Sequence, residues 1–274
     1  MKKSFFRSIA AAPHILWAVL FILCPLLFVL YYAFTDASGA FTISNIVELK
    51  SYAGTFGLSV CFALIATVIC LIIAYPLAYF ITKQGARAQS VLIMLAMLPM
   101  WMNLLIRTYS MMAILDNGGF LNKTLEALGL GTVQIIGTPG AVIFGMVYNF
   151  FPYMLLPIYS VMSKMDNRLI EAAQDLGCNA FGVLRKVILP LSRSGIISGI
   201  TMVFVPSIST FYISQKLGGG TFDLIGDAIE RQFMLLNNYN VGAAISLVMM
   251  ILILISLAVM NKFTDDDEEG GMLV

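Results

Sequence analysis

Few side chains in this 274-residue chain are equipped for chemistry, and their types exclude more than they offer. One histidine, His14, cannot form a metal-binding pair or an HExxH site. The four cysteines, Cys24, Cys61, Cys70 and Cys178, stand at no zinc-like spacing and read as buried free thiols. There is no Gly-x-x-x-x-Gly-Lys-Ser/Thr, so the chain cannot cradle ATP in a Walker A loop. No catalytic residue, metal site or cofactor is expected. What remains are groups suited to binding. Asp223, Asp227 and Glu230 stand at i, i+4 and i+7, so one helix face can carry all three. Such a row suits a ligand with spaced ammonium groups, or forms a solvated face with an Asp227–Arg231 pair. Trp101 and Tyr109, with Asn103 between them, can offer ring faces to alkylammonium groups, or serve as packing and interface anchors. Arg107 would repel a polycation and reads as a structural or gating residue.

The elements that must position these groups are membrane helices. Hydrophobic residues make up 59% of the chain and charged ones 11%, with mean hydropathy +0.90. A soluble protein of this size cannot hide so much apolar surface. A hydrocarbon core of about 30 Å needs about 20 apolar residues as a helix, and six segments qualify: Ile15–Phe34, Phe56–Thr82, Val91–Leu115, Pro139–Ser163, Gly195–Gln215 and Val241–Met260. Arg107 is the only charge inside them. The absence of any intramembrane carboxylate argues against a proton- or sodium-coupled transporter. A net charge of +1 excludes a strongly basic nucleic-acid binder. With the N-terminus in the cytoplasm, eleven lysines and arginines fall on the inner side and four on the outer, which fixes both termini inside. Asn45 and Asn122 are then expected outside, Gln174 and Glu268 inside. The first span follows Lys2, Lys3 and Arg7 as a signal peptide would. Its length exceeds the roughly 7–15 residues of a signal core, so it is read as a membrane helix. The acidic run Asp265–Glu269 reads as a solvated tail. Interior prolines, above all Pro152 and Pro157 in the fourth span, predict bent helices around a pathway that opens and closes.

The longest inner loop, roughly 164–193, carries the strongest pattern. Arg168–Leu176 is a good helix former, Gly177 supplies a left-handed break, and a second helical stretch, Ala180–Ile188, is stopped by Pro190. Two short helices joined at a glycine make a knob suited to docking in a partner's groove. Glu171-Ala172-Ala173, then Gly177, then Leu189-Pro190, with Val187 where the pattern has isoleucine, resembles the EAA loop of ABC-importer permeases. That resemblance implies the all-α, six-helix, type I (MetI-like) permease fold as a single membrane domain over residues 1–274. It further implies that the loop docks on a cytoplasmic ATPase dimer, with Glu171 and Ala173 facing the docking cleft, Gly177 setting the turn and Pro190 ending the coupling helix.

The likeness covers most of the chain. The stretch Leu98–Tyr109, with its Pro-x-Trp and Arg-x-Tyr, is similar to that of spermidine/putrescine permeases, and so are Gly118–Asn122, Leu217-Gly218-Gly219 and Leu224-Ile225-Gly226, in particular to PotB-type subunits. This implies a multi-pass permease of a bacterial inner membrane that forms half of the pathway for spermidine or putrescine. Its partners would be the ATPase, a second and homologous PotC-type permease, and an extracytoplasmic polyamine-binding protein. The outer loops carry seven acids against four bases, which suits a cationic solute. The alternatives are a permease for another small solute or an ion-coupled secondary transporter.

Overall fold

The computed structural model describes residues 13–271, with side chains through Lys262. Lys2, Lys3 and Arg7, and the side chains of the acidic run, lie outside the described residues. The chain is helical because its apolar runs are long and carry few breakers, and a backbone in lipid must satisfy its polar groups within each segment. In order the helices are α1 (Pro13–Ala33), α2 (Ser44–Thr82), α3 (Ala86–Trp101), α4 (Leu104–Leu115), α5 (Phe120–Ala127), α6 (Pro139–Met162), α7 (Asn167–Asp175), α8 (Ala180–Leu191), α9 (Arg193–Ser209), α10 (Tyr212–Leu217), α11 (Ile225–Glu230) and α12 (Tyr239–Gly271). Four of them, α1, α2, α6 and α12, are long and apolar enough to cross a membrane. The count rises to six if the bent pairs α3 with α4–α5, and α8 with α9, are each one span.

Two expected spans are therefore not straight rods. Pro99 removes a backbone donor near the end of α3, and Met102 and Asn103 then adopt extended backbone. The Asn103 side chain accepts from Leu105 N at 2.7 Å and caps α4; the segment Leu104–Ala127, α4 and α5 together, runs at 93° to α3. The fifth expected span, drawn to Gln215, is helical only to Ser209. Thr210 is extended there, and α10 starts separately at Tyr212.

The chain forms two compact units: residues up to Gly54 with Ala228–Leu252, and Thr55–Asp227 with the remainder of α12. In the first, Ala33 packs on Ala243, Ala244 and Leu247 of α12. Buried Asn45 donates to the carbonyls of Ala33 and Thr35, and Asn240 donates to Thr35 O at 2.6 Å. In the second, α2 presents a stripe of fully buried small residues, Ala63, Ala66, Cys70, Ala74 and Ala78, along one face. One end of the stripe meets Met154, Leu155 and Ile158 of α6, Val183 and Ile188 of α8 and Val203 of α9. The other meets Met111 and Leu115 of α4, Val142 and Met146 of α6, and Ile213 and Leu217 of α10. Small side chains let helix backbones approach closely where lipid offers no hydrophobic drive for packing. All four cysteines are free, but only Cys70 is buried: Cys24 and Cys178 are half-buried, and Cys61, on the outward face of α2, is exposed.

The expected topology can be tested by labelling, but not at every position that the sequence suggests. Asn45 and Asn122 are both buried and hydrogen-bonded, Asn122 to Val133 through both ends of its amide. Ala37 and Lys123, in the same loops, are exposed, as is Gln174. In a cysteine-free chain in intact cells, Ala37→Cys and Lys123→Cys should react with an impermeant maleimide, and Gln174→Cys only after permeabilisation. Labelling at 174 in intact cells would overturn the orientation.

Candidate coupling site

The loop between α6 and α9 folds as two capped helices. Asp166 caps α7 by accepting from Arg168 N at 3.0 Å, and Asn179 caps α8 by accepting from Gly182 N at 2.8 Å. Between them Gly177 has φ +85°, the left-handed region that glycine enters without a Cβ penalty. The reversal there places Gly177 N 2.8 Å from Gln174 O and Cys178 N 3.0 Å from Ala173 O. These bonds satisfy carbonyls that the end of α7 would otherwise leave open.

One side of this knob is anchored and the other is bare. Ile170, Ala173, Cys178, Leu184 and Val187 pack against the buried cluster of α2, α6 and α8. Lys83 adds a polar tie, its Nζ donating to Asn167 Oδ1 at 3.1 Å. Glu171 and Ala172 are exposed, and so are large apolar side chains, most of all Leu176 at 86% and Phe181 at 69%, with Leu169, Leu189 and Leu191 less so. Of the pair expected to face a docking cleft, Glu171 is exposed, whereas Ala173 is half-buried against the bundle and Ala172 is the exposed alanine, since neighbours on a helix are 100° apart. The EAA pattern does not single out Leu176 and Phe181.

Pro190 does not stop the second helix. The backbone stays helical to Leu191, and the break, with a change of direction of 67°, comes at Ser192. A wide turn over Leu184–Ile188, in which Leu189 N bonds Leu184 O, relieves the clash that a proline ring makes with the carbonyl four residues back. Ser192 is buried at the corner, donating to Ile188 O at 2.7 Å and lying 3.0 Å from the Tyr75 hydroxyl.

Immediately after the corner, α9 lies flush on α6. A Cβ at Gly195 would sit 2.8 Å from the carbonyl oxygen of Pro157, and one at Gly199 would sit 2.7 Å from Met154 Sδ and 3.2 Å from Met154 O. Gly195 and Gly199, four residues apart, are thus the contact face of α9. The small-xxx-small spacing is the signal in the sequence that marks them.

The residues expected along a substrate pathway are dispersed over several elements. Trp101 ends α3 and is 69% exposed, while Asn103 is occupied as the cap of α4. Tyr109 meets Tyr212 edge to face at 6.1 Å. The ammonium of Lys216 lies 5.4 Å from the Tyr109 ring and 5.8 Å from that of Tyr212. The cation–π face of Tyr109 is therefore shared with a lysine of the same chain. Of the acidic row, Asp223 precedes α11, while Asp227 and Glu230 both lie on it, Asp227 turned inward at 6% exposure and Glu230 half-buried. Asp227 accepts from Ser214 Oγ at 2.9 Å and from Leu224 N at 2.8 Å. It holds the turn before α11, where Gly226 comes so close to Thr210 O that a Cβ would sit 2.7 Å away. The spacing allowed one helix face to carry all three acids; the helix starts at Ile225, which leaves Asp223 outside it.

Residues 74–266, which include the whole knob, match the family described as binding-protein-dependent transport system inner membrane component. The chain belongs to that family. This permease is a multi-pass inner-membrane protein, and its helical fold is that of solved type I ABC-importer permeases. A bacterial transporter for the acidic polysaccharide alginate superposes with a TM-score of 0.72 over 95% of this chain and 96% of the other, at 17% identity. Closer in sequence are permeases named spermidine/putrescine transport system permease protein PotB. The permease is 39% identical to that of Haemophilus influenzae over 252 residues, covering 88% of each chain. It is 36% identical to that of Escherichia coli K12 over 253 residues, covering 89% of this chain and 92% of the other.

Proposed function

We infer that the permease is one half of the membrane channel of an ATP-driven polyamine importer and takes its energy through the 164–193 knob. The reading is carried by its similarity, over nearly its whole length, to permeases named for spermidine and putrescine transport. The knob supplies the mechanical half of the reading: Glu171, Ala172, Leu176 and Phe181 form a bare surface with acidic and apolar parts. A cytoplasmic ATPase dimer would seat this surface in a cleft. Closure of that dimer would move α7 and α8, and through Ser192 and the Gly195–Gly199 contact it would move α6 and α9. The chain has no nucleotide loop of its own, so it acts as a non-catalytic subunit. A PotC-type permease would complete the pathway, and an extracytoplasmic binding protein would deliver the polyamine.

Trp101 is the substrate-pathway candidate whose ring is most available, while Tyr109 and Tyr212 offer theirs in competition with Lys216. Asp227 is excluded as a probe of substrate binding, because its neutralisation would weaken the turn it holds. Radiolabelled uptake in a strain lacking its own polyamine importers provides the test. Uptake of spermidine or putrescine should require this chain. Trp101→Ala should slow it several-fold, in line with about 0.5–2 kcal/mol for one aromatic–cation contact, without loss of the assembled complex. A complex that carries an anion or a sugar and no polyamine would refute the substrate while leaving the family intact.

A further inference from the structure

Arg107 is the only charge inside the expected spans, and it is buried. Its side chain is 8% exposed, and Nε and Nη1 are buried without any hydrogen-bond partner. A guanidinium has five donors in a fixed fork and stays charged. Left alone in an apolar setting it is strongly unfavourable, and an anion that accepts from the fork removes that penalty. Arg107 is among the residues that line a cleft of about 380 Å³ between α4, α5 and α6, walled by Met111, Ile114, Leu121 and Phe144. A second cleft of about 330 Å³, which shares Phe144 and Tyr148 with the first, lies along α3 at Pro99, Ala96 and Leu95. Together the two clefts offer mostly apolar walls with one cationic residue at one end.

The depth of that end is set by the helices. The 16 residues of α3 rise about 24 Å from the polar turn Lys83-Gln84-Gly85, against a hydrocarbon core of about 30 Å. Trp101 and the first turn of α4 therefore lie near the far interface, where headgroups begin. Arg107 follows the start of α4 by only three residues, about 4.5 Å of helix rise, so it stays near that level. We propose that this groove binds a membrane phospholipid with an anionic headgroup, its phosphate held by Arg107 and an acyl chain lying along α3 and α6. A carboxylate from another subunit would satisfy the guanidinium but leave the apolar groove unexplained, and a polycationic solute would be repelled. The inference rests on the membrane helices alone, so it stands or falls independently of the solute carried.

The transporter purified through this chain in mild detergent, with whatever subunits accompany it, should retain phosphatidylglycerol in native mass spectra and in quantified lipid extracts. Arg107→Gln should lower the retained anionic lipid about tenfold, the ratio given by loss of a hydrogen bond to a charged group, and Arg107→Lys should lower it less. Ala96→Trp fills the tail end without touching Arg107 and should also release the lipid, so it decides the matter if Arg107→Gln does not fold. An excess of inorganic phosphate should not displace the lipid. Equal lipid in all variants would overturn the site. So would an inorganic phosphate bound in place of lipid, or a lipid-free wild type whose subunits separate on Arg107→Gln.

Discussion

Gly177→Pro is expected to leave the permease in the membrane and to abolish substrate-stimulated ATP hydrolysis by its complex. The residue has φ +85° and donates its N–H to Gln174 O. Proline holds φ near −65° and has no N–H, so the reversal between α7 and α8 cannot form. The penalty, about 3 kcal/mol or more, falls on a surface loop rather than on the bundle. The loop therefore refolds locally while the spans persist. Leu176 and Phe181, which flank the turn, lose their common surface. Stimulated ATPase activity of the reconstituted complex should drop at least about tenfold, by the conversion of 1.4 kcal/mol per decade, and the ATPase should co-purify poorly. Glu171→Lys, which alters charge on the exposed face without touching the turn, should reduce stimulation while the knob stays folded. Stimulation unchanged in both variants would mean that the loop transmits nothing.

Gly199→Leu should act at the other end of the same linkage, and it should act on assembly. Its Cβ alone would lie 2.7 Å from Met154 Sδ and 3.2 Å from Met154 O, and a leucine adds three further carbons to that gap. Over-packing of this kind is worth about 1–3 kcal/mol where neighbours can yield. Here one neighbour is helix backbone, so α9 must move off α6. The expected outcome is a chain that inserts but is recovered from detergent as aggregate or degraded, with thermal stability of any folded fraction clearly lowered. Gly199→Ala should be milder, and Ser198→Leu, on the exposed side of the same turn, should be tolerated. A folded, thermally unchanged Gly199→Leu protein would show that the contact is not tight.

The composition made the helices legible, because runs of 20 or more apolar residues admit one explanation. The Gly177 turn and the two-helix knob were equally readable from local residue types. The breaks were not. Whether Pro99 merely kinks a helix or ends it depends on Asn103 being free to cap α4, and that depends on the direction the chain must take next. Pro190 misled for the opposite reason, since a widened turn absorbed the ring that ordinarily ends a helix. The i, i+4, i+7 spacing of the acids implies a common face only where the helix is continuous, and Asp223 lies before α11 while Asp227 is drawn inward by Ser214 and Leu224 N. Ala172 and Ala173 are the same residue type side by side. Only the packing of Ile170 and Val187 decides which of the two faces out.

The knob has a consequence for recognition that its surface alone does not reveal. Both of its helices are capped by their own side chains, and its inner face is seated on the bundle before any partner arrives. Its backbone therefore has little conformational entropy left to lose on docking. A loop that had to order on contact would forfeit about 0.5–1.5 kcal/mol for each immobilised flexible side chain. Here that loss is confined to the few exposed residues, so association should proceed as between two preformed bodies. Its heat-capacity change should match the area of Leu176 and Phe181 covered, without the larger signature of a segment that folds as it binds.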